Sequence, residues 1–153
     1  MSTSRFFSGD LETEMTDTVQ ATGSWVLTTV SLTIEKPDLD PRAVSAALGI
    51  EPTSSRLPGP SRWRPADDTN GLWMLECDQR TAKGPAEQLA HLLSLVESKT
   101  GELGSLRATD HQVHLEIRGY AGDGATFVIP HTLLTRIMHL GIPLKVIPKI
   151  NER

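Results

Sequence analysis

Residues 25–52, WVLTTVSLTIEKPDLDPRAVSAALGIEP, read as one strand, one turn and one short helix. Val26, Thr28, Val30, Leu32 and Ile34 alternate with Trp25, Leu27, Thr29, Ser31 and Thr33. That period of two sends successive side chains to opposite faces of a strand. The first set is the better core face. The second is half polar, which predicts a sheet covered by helices on one side only. The helix opens on dense signals: Asp40 as N-cap, Pro41 in the first helical position, and Leu39 placed to staple onto Val44. Val44, Ala47 and Leu48 are its expected inward positions. Gly49 comes directly after, where a left-handed residue ends a helix at no steric cost.

The chain repeats this pattern near its C-terminus. In ATFVIPHTLLTRIMHLGIP, residues 125–143, a strand over 125–129 leads to a helix over 132–140. Leu134, Ile137 and Met138 are its expected buried positions, and Gly141 is its stop. Both glycines are expected at positive φ. The second copy runs straight into a strand over 142–147, whereas about 20 residues separate the first from Gly71-Leu72-Trp73, longer than the about 12–15 of ordinary connections.

Between the copies lie a strand over 72–77 and a helix opened by Pro85 and patterned by Leu89, Leu92, Leu93 and Val96. Gly101 is its expected stop, with Leu103 and Leu106 in the loop beyond. A strand over 112–118 turns Val113, Leu115 and Ile117 inward and Gln112, His114, Glu116 and Arg118 outward. Gly122-Asp123-Gly124 then predicts a hairpin into 125–129. The order is β-α-β-α-β-β-α-β. It implies an α+β fold, a two-layer sandwich of ferredoxin-like character with helices on one face of a mixed sheet. Residues 1–23 are hydroxyl- and acid-rich and are expected to form a flexible N-terminal tail, leaving 24–153 as a single domain.

The 153 residues carry 38% hydrophobic and 22% charged side chains, with a formal charge of −4. Such a balance supplies no global field toward nucleic acid or an anionic membrane. No apolar run approaches the roughly 20 residues of a membrane helix. The N-terminus lacks the apolar core of a secretory signal, and the expected location is cytoplasmic. Cys77 is the single cysteine, so no internal disulfide can form.

Catalytic and metal-binding motifs are missing from the sequence. His114 and Glu116 share a strand face, giving two ligands where a zinc site needs three or four. Cys77 stands between Glu76 and Asp78, acids that raise a thiol pKa, so it reads as buried and inert. No catalytic residue, metal or cofactor is assigned. One constellation rises above this background: Arg56, Arg62, Trp63 and Arg64 in a proline-rich segment, with Trp73 beyond it. Arginine forks hold carboxylates and phosphates, and tryptophan offers a flat stacking face. These five form the expected binding set. The competing reading makes Trp63 a lid packed on the sheet, with the arginines solvated or paired to Asp67 and Asp68.

The combination of Val30-Ser31-Leu32-Thr33-Ile34, Leu39-Asp40-Pro41, Leu48-Gly49-Ile50-Glu51-Pro52-Thr53 and Gly71-Leu72-Trp73-Met74-Leu75-Glu76 resembles the bacterial "domain of unknown function 4279" family. So do Leu92-Leu93 and Leu140-Gly141-Ile142. The resemblance covers residues 25–148. It implies a small bacterial domain without established catalytic residues, in the company of toxin-neutralising immunity proteins. The resulting expectation is a non-catalytic binding domain of immunity type whose partner is another protein, with dimerisation through the open sheet face as one arrangement. The alternative is a sensing domain for a small anionic metabolite.

Overall fold

The computed structural model describes residues 25–60, 68–122 and 124–149. The expected tail, residues 1–23, lies outside them. The elements are β1 (Val26–Lys36), α1 (Pro41–Leu48), β2 (Ser54–Arg56), β3 (Gly71–Asp78), α2 (Pro85–Val96), a 3-10 turn (Glu97–Lys99), α3 (Thr100–Ala108), β4 (Gln112–Tyr120), α4 (His131–Leu140) and β5 (Leu144–Lys149). Among the described residues, one five-stranded mixed sheet runs in the order β2-β3-β1-β4-β5. The pairs β2/β3, β3/β1 and β1/β4 are antiparallel, and β4/β5 is parallel. The fold is an α+β sandwich.

Strand register explains where the core sits. Leu32 lies opposite Leu75 on one side and Leu115 on the other, and Ile34 opposite Trp73 and Val113. These rows, with Val30, Cys77 and Ile117, make one apolar face. Val44 and Leu48 of α1, Leu89, Leu92, Leu93 and Val96 of α2, Leu103 and Leu106 of α3, and Leu133, Ile137 and Leu140 of α4 join the same buried cluster. Among the described residues, the opposite face carries no helix.

Both αL stops occur as expected, at Gly49 (φ 68) and Gly141 (φ 76). Asp40 caps α1 by accepting a hydrogen bond from the Arg42 amide at 3.1 Å. The duplication itself is limited to the two helices and the Gly-Ile segments that leave them. Residues 125–129 form no strand beyond a single bridge residue. The reason is topological: β4 already has β1 on one side and β5 on the other, so no edge is free for a hairpin partner. Phe127 instead packs edge-on against Trp25, ring centroids 4.8 Å apart. After α1 the chain does not wander for about 20 residues before pairing; the short edge strand β2 starts at Ser54. Each helix that ends in Leu-Gly-Ile therefore delivers the chain to an outer strand of the sheet, β2 at one side and β5 at the other.

Among the described residues, α4 is the helix that joins two neighbouring parallel strands. β1 and β3 are antiparallel. The crossover by α2 and α3 joins β3 to β4 around the intervening β1, and α4 joins β4 to β5. Gly101 is not a stop: the 3-10 turn redirects the chain, and α3 places Leu103 and Leu106 three apart on its buried side. Helix α4 buries Leu133, Ile137 and Leu140, leaving Leu134 and Met138 exposed. Ala47 is exposed as well. A bulge near the start of β1, with Leu27 at φ 53, shifts the pleat, so that Val26 turns outward and Thr28 inward.

Candidate functional site

The expected binding set divides on the structure. Arg62, Trp63 and Arg64 lie outside the described residues. Trp73 is 0% exposed, in the centre of the core face of β3. Its indole N–H donates to Ser45 Oγ on α1 at 3.0 Å, so the polar end of the ring is satisfied internally. Trp73 therefore fastens α1 to the sheet. Arg56 is half-buried on β2; its Nε donates to the Asn70 carbonyl at 3.2 Å and its Nη2 lies 3.4 Å from Asp68 Oδ1. The guanidinium bridges the two sides of the segment 57–70, with Asp68 as the acid the sequence offered it.

A different group of side chains meets on the helix-free face. Ser31 on β1 has Glu76 of β3 opposite on one side and Glu116 of β4 on the other. Thr33 is likewise flanked by Met74 and His114. The small hydroxyls are recessed between these longer chains, Ser31 at 1% and Thr33 at 3% exposure, and bond each other at 3.2 Å. Arg118 reaches over them, its Nη2 donating to Glu76 Oε2 at 2.9 Å. Its Nε stands 2.9 Å from Glu116 Oε2 with the N–H turned off that oxygen, a coulombic contact rather than a hydrogen bond. His114 Nε2 completes the line at 3.2 Å from Glu116 Oε1. Glu116 is the buried member of this group, and a carboxylate tolerates that position because cation and imidazole flank it. Sequence alternation put His114, Glu116 and Arg118 on one outward face. What it lacked was the register that brings Glu76 to Arg118 across β1.

A second feature lies on the helix side, where α1 borders the edge of the sheet. Pro41, Arg42, Ser45, Ala46 and Gly49 on one wall and Glu51, Pro52 and Ser55 on the other line a groove of about 480 Å³. That lies within the about 300–1,000 Å³ range of ligand clefts.

The family model described as "Domain of unknown function (DUF4279)" matches residues 26–151. The chain belongs to this family. No curated protein and no solved structure matches it. In this DUF4279 domain several of the residues that carry the family resemblance are architectural. Gly71 passes so close to the turn before α1 that an added Cβ would meet Leu39 O at 2.8 Å and Leu39 Cβ at 3.0 Å. Trp73 then reaches Ser45, and Gly49 ends the helix that holds it. Leu-Gly-Ile and Gly-Leu-Trp are thus two halves of one contact between α1 and β3.

Among the described residues of the DUF4279 domain, no group of three or more His, Cys, Asp or Glu side chains could hold a metal ion. No helix among them is long and apolar enough to cross a membrane. Cys77 is buried, and its thiol is pushed up from the ordinary value, first by burial and then by the Asp78 carboxylate. Such a thiol is a poor nucleophile.

Proposed function

We propose that this DUF4279 domain is a non-catalytic binding module of the immunity type, gripping another protein through the helix-free face of its sheet. The observation that supports this reading is the ordered row Glu76–Arg118–Glu116–His114, held on two strands, β3 and β4, across β1 rather than on loops. The Glu76–Arg118 pair that spans β1 is about a third exposed, and exposed ion pairs contribute only about 0–1 kcal/mol to stability, so the fold draws little from that link. Fixed charges on a rigid, broad surface serve charge-complementary recognition of a partner. The anionic-metabolite reading draws less support from the same face, since Arg118 is already shared between two carboxylates.

A photo-crosslinking amino acid placed at Leu72, on the helix-free face, tests the reading in cells that make the protein. A control places it at Ser94, exposed on α2. One discrete protein adduct from position 72, lost on Glu76→Lys and not formed from position 94, is the expected result. Adducts of equal yield from both positions, or none from position 72, would refute it.

A further inference from the structure

We propose that the groove between α1 and β2 receives an extended peptide, which adds to the sheet beside β2 and pairs an acidic and a basic side chain with Arg42 and Glu51. Among the described residues, β2 is an outer strand, paired with β3 on one side alone. Its three residues span about 10 Å at about 3.3 Å each. An edge of this kind is a template for strand addition.

The two edges of the sheet are not treated alike. β5 carries Lys145, Pro148 and Lys149, the residue types that blunt an edge. The hydrogen bonds Leu115 N–H to Pro143 O and Ala121 N–H to Lys149 O flank the β4/β5 ladder. They leave Pro148, one residue out of phase with Lys149, with its missing N–H toward the outside, where another strand would need it. β2 reads Ser54-Ser55-Arg56 and has neither proline nor lysine.

The groove is also prepared for a backbone. Ser45, Ala46, Gly49 and Ser55 are small, so a main chain can come close. Its walls are stiff: Pro41 and Pro52 have fixed φ, and Ser45 is tied to the indole of Trp73. Arg42 is the arginine among the described residues whose side chain has neither an ion pair nor a hydrogen bond, in contrast to Arg56, Arg80, Arg107, Arg118 and Arg136. Glu51 has no ion pair among the described residues either. Two uncommitted charges of opposite sign at one groove ask for a ligand that carries both signs. This site is on the opposite side of the sheet from Glu76–Arg118 and stands independently of whether that face engages a partner.

The test uses the full chain, isotope-labelled, titrated with the capped tetrapeptides acetyl-Lys-Thr-Val-Glu-amide and acetyl-Glu-Val-Thr-Lys-amide. Acetyl-Gln-Thr-Val-Gln-amide is the uncharged control. Amide shifts at Ser45, Ala46, Gly49 and 54–56, with at least tenfold weaker binding of the uncharged peptide, are expected. The double variant Arg42→Glu/Glu51→Lys, both sites exposed, is expected to exchange its preference between the two charged peptides by a similar factor. Its own amide spectrum reports that it is folded. Absence of shifts at these positions with millimolar peptide of either polarity overturns the proposal. So does equal binding of the uncharged peptide, or a double variant that keeps the wild-type preference.

Discussion

Replacing Gly71 by alanine and replacing Gly101 by alanine should change stability in opposite directions. At Gly71 a methyl group would lie 2.8 Å from Leu39 O, 3.0 Å from Leu39 Cβ and 3.1 Å from Pro58 Cγ. Leu39 is buried and sits between β1 and the Asp40 cap, so it has little room to retreat. Overpacking of this kind costs about 1–3 kcal/mol. Alanine's lower unfolded-state entropy returns about 0.4–1 kcal/mol, leaving a net loss of about 1–2 kcal/mol. Gly101 lies inside α3, and nothing stands within 4 Å of its added Cβ. There the same change should stabilise by about 0.5–1 kcal/mol, because alanine is the better helix former. Urea titrations followed by far-UV circular dichroism measure both, as midpoint shifts at unchanged slope. The melting temperatures should move by about 2–4 °C per kcal/mol, downward for Gly71→Ala and upward for Gly101→Ala. A neutral Gly71→Ala variant would refute the close approach of β3 to the α1 turn. A destabilised Gly101→Ala variant would refute the continuation of helix through that glycine.

Gly49→Ala and Gly141→Ala should each cost about 1 kcal/mol by the same titration, since both sites hold left-handed φ values. Ser45→Ala should cost about 1–3 kcal/mol by leaving the buried indole N–H of Trp73 without its acceptor, and Trp73→Ala about 3–5 kcal/mol. Iodoacetamide should label Cys77 in the native protein only as fast as the protein unfolds, and quickly in urea. Because burial raises this thiol, its neutral form is favoured by the fold. Stability is whole below the unfolded thiol's pKa of about 8.5 and falls as pH rises from there toward the folded value. Cys77→Ala should remove that alkaline slope.

What the sequence disclosed was local. The alternation of Val30, Leu32 and Ile34, the Asp40–Pro41 helix start and the stops at Gly49 and Gly141 each depend on a few neighbouring residues, and each is present. What it concealed depends on strands distant in the chain. Residues 125–129 have the composition of a strand, and only the presence of β1 and β5 beside β4 denies them a partner. Leu134 and Met138 satisfy a helical period as well as Leu133 and Ile137 do; the docking angle of α4 chose between them. The row on the open face shows the same division. His114 and Glu116 were readable as neighbours on one strand, and they do meet at 3.2 Å. Glu76 could join them only once β3 and β4 were placed on either side of β1.

That placement bears on how the chain is made. β1 occupies the centre of the sheet, yet it leaves the ribosome before either of its neighbours. Leu32 meets Leu75 and Leu115, and the second of these arrives about 80 residues later, after roughly 4–16 s at a synthesis rate of about 5–20 residues per second. Through that interval β1 keeps at least one unpaired edge, the one that belongs to β4, and β3 can cover the other only after Leu75 has emerged. Its earliest companion, α1, can shelter one face but cannot satisfy a single hydrogen bond of the ladder. The nascent chain should therefore depend on holding factors during translation. In the test tube, its refolding should be limited by the search that brings β4 back to the beginning of the chain.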